Sequence, residues 1–368
     1  MNSETKSRIL DLHRRNTLLN TPAPSLMVTG AMDFGADERY APIDERMIAT
    51  AAEALEAGQT HYVDVPGIGP LRAAIADYLR TAFNGQYQQA NVIVTAGIQE
   101  SRFLTLQMIG DSVERVAVPE VVHPGVKKAL GVRPLQVETM AVDAHGLPPI
   151  AEISKVLEAG NRLLFLESPS RLTGAAYSAE SVAAIAEAAA QFEAVIIWDQ
   201  GLAPWAEGYV SLAAKAPGQT VAIGEAFPGM GLASWFIGYI AAPEQWIASM
   251  QSQKQIMAIC TSTAAQYAAL EASKLAAESH ASQLPRLNAA RQALISALGT
   301  TDVIPGVTAS VVALRLSADK KQQVLKDLKD AGYNAADGAD FGMEDVLRLT
   351  ISQDSTALLA VANVIKGA

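Results

Sequence analysis

The patterning of the chain predicts an α/β fold: a three-layer domain built on a mostly parallel sheet, joined to a smaller α+β domain. Three observations carry this. From about Asn91, short β-branched runs alternate with Ala-rich helical stretches, as strands covered by helices do. Several of those runs end in Gly, Pro, Ser or Asp clusters. The 368 residues also exceed a single core, since cores stop growing near about 250 to 300 residues.

Taken in order, NVIVTAG, RVAVPE, RLLFLES, AVIIWD and TVAIGEA are the expected strands of the large sheet. Open α/β sheets bind ligands beyond the carboxyl ends of their strands, so the site is expected there. Pro243 to Glu278 reads as helix with little interruption, followed by a second helical run from Leu284 to Leu298, together forming a connector. A strand near Ser310 to Leu316, a helix from Ala318 to Ala331, a strand at Val346 to Ile351 and a closing helix make the small unit. The expected division is residues 1–40 as an arm packing with the small domain, 41–278 as the large domain and 279–368 as the small one. Neither an internal repeat nor a Pro/Gly/Ser linker interrupts the sequence.

Half the residues are apolar and 18% are charged, which describes a well-packed chain and excludes disorder. A net charge of -10 argues against a nucleic-acid footprint or a polybasic membrane anchor, leaving small-molecule chemistry or protein contact. The single cysteine, Cys260, excludes an internal disulfide framework and a thiolate metal cage, and suits a reducing compartment, with the cytoplasm as the default. Met1 to Asn20 is polar and mixed in charge, so neither a signal peptide nor a membrane span is expected there.

The motifs are modest singly but specific in their order. They run from GAMDF at Gly30–Phe34 through HYVDVPGIGPLRAAIADYL, with Tyr62, Gly67, Leu71, Arg72 and Tyr78, to VIVTAGIQES and HPGVKKAL. SPSRLTG, IIWDQGLAPWAEG, FPGMGLASWFIGYIAAP, TSTAAQYAAL, DGADFG and LRLTIS follow. This series resembles, motif for motif, that of the class I/II aminotransferases, the large pyridoxal-phosphate (PLP) family of fold type I. The resemblance spans roughly Gly30 to Ser352.

It implies a site with notable departures. PLP transamination needs a lysine that holds the aldehyde as a Schiff base and then shuttles a proton. Aligning WFIGY with the family's W-R-I-G-Y puts Pro228 at that position, and no lysine lies between Lys215 and Lys254. The chain therefore resembles a degenerate, lysine-less member. Phe236 falls where the family pairs an arginine with the cofactor phosphate, a contact worth about 1.5 to 3 kcal/mol, and core packing is the expected role for it. Arg171 replaces an asparagine and Leu202 a tyrosine on the phenolate side of the cofactor. Arg171 is expected either to meet an anion or to be solvated.

Other positions match. By resemblance, Asp199 holds the pyridine nitrogen, although a strand-end Asp also caps helices. Gly97, Ile98 and Gln99 form a strand-to-helix turn whose free N–H groups suit an anion. His123 takes the ring-stacking position or is structural, and Tyr62 reaches the phosphate of a neighbouring subunit. Arg348 matches the arginine that clamps a substrate carboxylate with a bidentate fork, its partner being a ligand or a protein Asp or Glu, and Gly30 lines the same corner.

Three readings follow. The first is an aminotransferase-like protein that binds a small carboxylate or amino acid without lysine-based PLP chemistry, or that serves as a non-catalytic subunit of a dimer. The second is an enzyme that holds PLP or pyridoxamine phosphate non-covalently, or reuses the scaffold for other chemistry, with His61, His123, Glu167 and Glu225 as candidate titratable groups. The third is a purely structural role. A homodimer or heterodimer is expected, with no metal, nucleic-acid or membrane partner.

Overall fold

The computed structural model describes residues 32–38, 41–110, 113–132, 135–299, 301–351 and 355–368. Twelve strands are formed among them: β1 (Met32–Phe34), β2 (Val92–Ala96), β3 (Arg115–Pro119), β4 (Gln136–Met140), β5 (Leu163–Glu167), β6 (Val195–Asp199), β7 (Thr220–Glu225), β8 (Ile237–Ala241), β9 (Val303–Ile304), β10 (Val311–Arg315), β11 (Tyr333–Asp337) and β12 (Val346–Thr350). The large sheet has the order β2-β8-β7-β6-β5-β3-β4, and only β8 runs antiparallel to its neighbours. The small sheet has the order β1-β11-β12-β10-β9.

Strand residues alternate in direction, so each large-sheet strand feeds two cores. Val92 and Val94 join the core under the helices Glu45–Glu56 and Gly69–Phe83, whereas Ile93 joins the opposite one. Phe165 and Ile197 face that opposite core together with the helix Gly97–Gly110, while Leu164, Leu166, Ile196 and Trp198 pack against the helices Ile150–Glu158 and Ala179–Gln191. Both faces being covered explains the near-continuous apolar runs that betrayed these strands. The small sheet packs Phe34, Val312, Leu314, Leu347 and Leu349 against Leu287, Val324 and Val361 of its helices.

Two expectations are corrected. The connector breaks early, after the helix Glu244–Met257, where Ile259 takes a positive φ of 60°, and then runs unbroken as the helix Thr263–Leu298 through Pro285. Proline removes one backbone donor, but Leu287, Ala290 and Leu294 beyond it are buried and hold the helix to the small-domain core. The boundary expected at 278 thus falls inside one helix. Five strands, β1, β4, β8, β9 and β11, were not among those expected: Gln136–Met140 is a mostly exposed edge, and Tyr333–Asp337 holds Asn, Ala and Asp, poor strand formers that pair because β1 and β12 flank them. None of the helices is long and apolar enough to cross a membrane among the described residues.

Candidate active site

The carboxyl ends of β5 and β6 bring Glu167 and Asp199 side by side as register partners, and β7 ends at Glu225. Three carboxylates at one sheet edge require compensating cations, and two arginines supply them. Arg171, in the loop after β5, donates from Nη2 and Nε to Asp199 Oδ1 at 2.6 and 3.1 Å, and from Nη1 and Nη2 to Glu225 at 3.0 and 3.1 Å. Arg102, from the helix Gly97–Gly110, donates Nη2 to the other Asp199 oxygen, Oδ2, at 3.0 Å. Asp199, Arg102 and Arg171 are at most 1% exposed. Gly201 makes room for this arrangement, since a Cβ there would run into Arg171 Nη2 and Glu225 Oε2.

The backbone of Arg171 extends the network. Its N–H donates to Glu167 Oε2 at 3.1 Å, and its carbonyl accepts from Arg348 Nη1 at 2.9 Å. Arg348 stands on β12, 1% exposed, with its guanidinium 5.3 Å from the Phe341 ring centroid. Nη1 also donates to Asp37 Oδ1 at 2.9 Å and Nη2 to the Gly35 carbonyl at 2.5 Å. The second Asp37 oxygen meets His123 Nε2 at 2.7 Å. Because His123 Nδ1 accepts the Gly125 N–H at 3.0 Å, its neutral ring carries the proton on Nε2, facing Asp37.

Burial and this geometry set the protonation states. For Asp199, burial pushes the pKa up, but Arg171 and then Arg102 outweigh it and hold the carboxyl below its usual range. Asp37 is likewise raised by burial and brought well down by His123 and Arg348. Burial and the Arg102 charge depress His123 to about 4, so it is neutral at physiological pH. Glu167 goes the other way: burial and the Asp199 charge push it up to about 7.

At the turn from β2 into its helix, Gly97 has a φ of +72° and Gln99 Nε2 donates to the Gly125 carbonyl at 2.9 Å. An anion already lies at this helix start: the Glu100 carboxylate accepts the Ala96 N–H and pairs with Lys254 Nζ at 2.8 Å, the lysine being fully buried. Pro228 follows Phe227, which has a positive φ of 53°, and its carbonyl meets His280 Nε2 at 2.7 Å.

This ion network lies at the carboxyl ends of β5, β6 and β7 in the seven-stranded sheet. A model of the family "Aminotransferase class I and II" matches residues 29–365. The chain belongs to this family. It is 25% identical over 272 residues to the aspartate aminotransferase of Bacillus subtilis (strain 168), covering 68% of this chain and 69% of that one. To the aspartate/prephenate aminotransferase of Thermus thermophilus it is 28% identical over 233 residues, covering 62% and 60% of the two chains. Among solved structures, a Thermus thermophilus aspartate aminotransferase double mutant superposes with a TM-score of 0.82 at 22% identity, covering 98% of this chain and 95% of that chain. An aromatic aminotransferase from Pyrococcus horikoshii gives 0.83 at 20% identity, covering 97% and 98%. These two share the fold.

Against the aminotransferase pattern, the structure gathers Asp199, Arg171, His123 and Arg348 into one network through Asp37, with Gln99 beside it on Gly125. Arg171 is not solvated, because two carboxylates hold it inside. Phe236 is no core residue: it is 63% exposed, and its ring lies beside Gly97. Tyr62 is 79% exposed, and His61 is exposed too, away from the ion network. Leu202 is buried. Gly30 lies outside the described residues, and the segment lining Arg348 is Gly35–Asp37. Sequence reading passed over Arg102, Asp37, Glu100 and Lys254. Arg102 had left a signal, as the one charged residue in the stretch SRFLTLQMI.

Proposed function

We propose that this aminotransferase-fold protein binds a small carboxylate or amino acid at the Arg348 corner and does not perform lysine-based PLP transamination. The observation that carries the reading is the state of Asp199: both of its oxygens are taken by buried guanidiniums of the same chain. The positive charge that a pyridinium nitrogen would bring is supplied by Arg171. The other contacts PLP requires are equally unsuited. Pro228 has no amine for the aldehyde, Lys254 is sealed on Glu100, and that glutamate would put like charge beside a phosphate at the Ala96 amide. The residues present do not fit the cofactor.

What remains is recognition chemistry. Arg348 offers a planar fork on an ordered strand, suited to a carboxylate, and neutral His123 adds a single N–H donor at the same spot. Small dicarboxylates are the natural first probes. We further propose a dimer, with Tyr62 and its neighbours in the contact, as its 79% exposure supports. The cofactor claim is tested by absorption spectra of purified protein titrated with PLP, followed by borohydride. The expected result is no bound chromophore and no reduced adduct, in the native chain and in Pro228→Lys alike. A stoichiometric chromophore in the native chain would overturn the reading.

A further inference from the structure

Asp37 occupies the corner that a ligand carboxylate would use. Its Oδ1 sits 2.9 Å from Arg348 Nη1, and its Oδ2 sits 2.7 Å from His123 Nε2. The segment carrying it is held over β12 by independent contacts: the Gly35 carbonyl on Arg348 Nη2, the Ala36 carbonyl on Thr350 Oγ1, and Glu38 Oε1 on the Gly229 N–H at 2.7 Å. A strap running from the small sheet to the Pro228 loop thus presents one carboxylate to one arginine fork.

We infer that Asp37 is an internal stand-in for the ligand, a tethered carboxylate that a free carboxylate must displace to reach Arg348 and His123. The inference rests on the carboxylate-binding reading above and adds its regulation. Three features make the contact exchangeable. First, Asp37 and His123 are 25% and 15% exposed, so the pair reaches solvent although Arg348 itself is buried. Second, Asp37 takes only one donor of the fork, Nη1, which also holds the Arg171 carbonyl. An incoming carboxylate that takes its place at Nη1 and at His123 Nε2 therefore remakes the bonds that Asp37 gives up. Third, the strap keeps its other anchors when the Asp37 side chain rotates outward, so exchange requires no unfolding of the segment.

The consequence is quantitative. A short tether gives a group an effective concentration in the millimolar range, so the native corner answers only to ligands that are abundant or make further contacts. Removing the tethered carboxylate should raise affinity about tenfold or more. The test is isothermal titration of maleate and of succinate into the native protein, Asp37→Asn and Asp37→Ser, each checked for native circular dichroism, with Asp37→Asn/Arg348→Ala as control. Asp37→Asn keeps the side-chain volume and guards against a folding defect in the serine variant. In parallel, the His123 ring signals of the native protein are followed by NMR during a maleate titration, because exchange of its Nε2 partner must move them. Tighter binding in the Asp37 variants, lost with Arg348, together with a shifted His123 signal in the native chain, supports the inference. Equal, Arg348-dependent affinity with and without Asp37 overturns it and leaves the carboxylate-binding reading standing. Absence of binding in every variant overturns both.

Discussion

Glu167 and His123 lie one hydrogen bond apart, the His123 N–H donating to Glu167 Oε1 at 2.8 Å, yet they shift stability with pH in opposite senses. Glu167 is raised from 4.5 to about 7 in the fold, so the native state holds a proton that the unfolded chain has lost. That contribution is full below 4.5 and disappears as pH rises through 7. His123 is lowered from 6.5 to about 4, so its contribution is full above 6.5 and is lost as pH falls toward 4. Glu167→Gln should therefore remove the decline in melting temperature that Glu167 imposes as pH rises from 4.5 to about 7, most visibly above 6.5 where His123 no longer opposes it, while leaving the loss toward pH 4 in place. An unchanged slope up to pH 7 would show that Glu167 does not titrate in this window. Sequence alone supplied the chemical types here. Asp199, Arg171 and Arg348 were legible because strand ends and family motifs place them, whereas Arg102 and Asp37, which complete their ion pairs, were not. Arg348 and Asp37 are separated by 311 positions and meet only through the pairing of β12, β11 and β1.

At the scale of elements, what the sequence revealed followed how strongly one environment dictated a segment. The buried parallel strands announced themselves as apolar runs, while β11, with no fully buried residue, depends on its neighbours and was silent. Helix starts were legible as anion sites, but not that the chain brings its own anion. Glu100 turns back to the Ala96 amide at the head of its helix, and Lys254, 154 residues away on Glu244–Met257, closes the pair. Both side chains are buried, at 0% and 8% exposure. Breaking such a pair from one side leaves an unpaired buried charge and costs about 3 to 5 kcal/mol, whereas removing both charges costs much less. Lys254→Met should accordingly lower denaturant stability by about that amount, and Lys254→Met/Glu100→Gln should recover most of it. A loss below about 1 kcal/mol in the single variant would mean that the Glu100 charge is held by the helix start alone.

For the whole molecule, the proposed dimer bears on large apolar side chains left exposed. Phe236 lies beside Gly97, the helix from Gly97 is pinned by Glu100 to Lys254, and Ile256 and Met257 form the last turn beyond that lysine. The His61 carbonyl accepts from Thr263 Oγ1, which brings the His61–Tyr62 loop to the start of the following helix. Tyr62, Phe236, Ile256 and Met257 are all exposed, Ile256 at 86%. Single exposed apolar residues are ordinary, but the proposed dimer would bury these four, as a contact surface does. A second copy of the chain is the simplest occupant, because a two-fold axis through such a patch lets each residue meet its own apolar kind. Light scattering at micromolar concentration should give twice the mass of the chain, and Phe236→Glu/Ile256→Glu should give a monomer. Phe236 and Ile256 are 63% and 86% exposed, so the monomeric variant should keep the native circular dichroism spectrum. A native chain that already sediments as a monomer would remove the second copy as the occupant of this surface, and would leave Tyr62 without the neighbouring subunit that its motif implies.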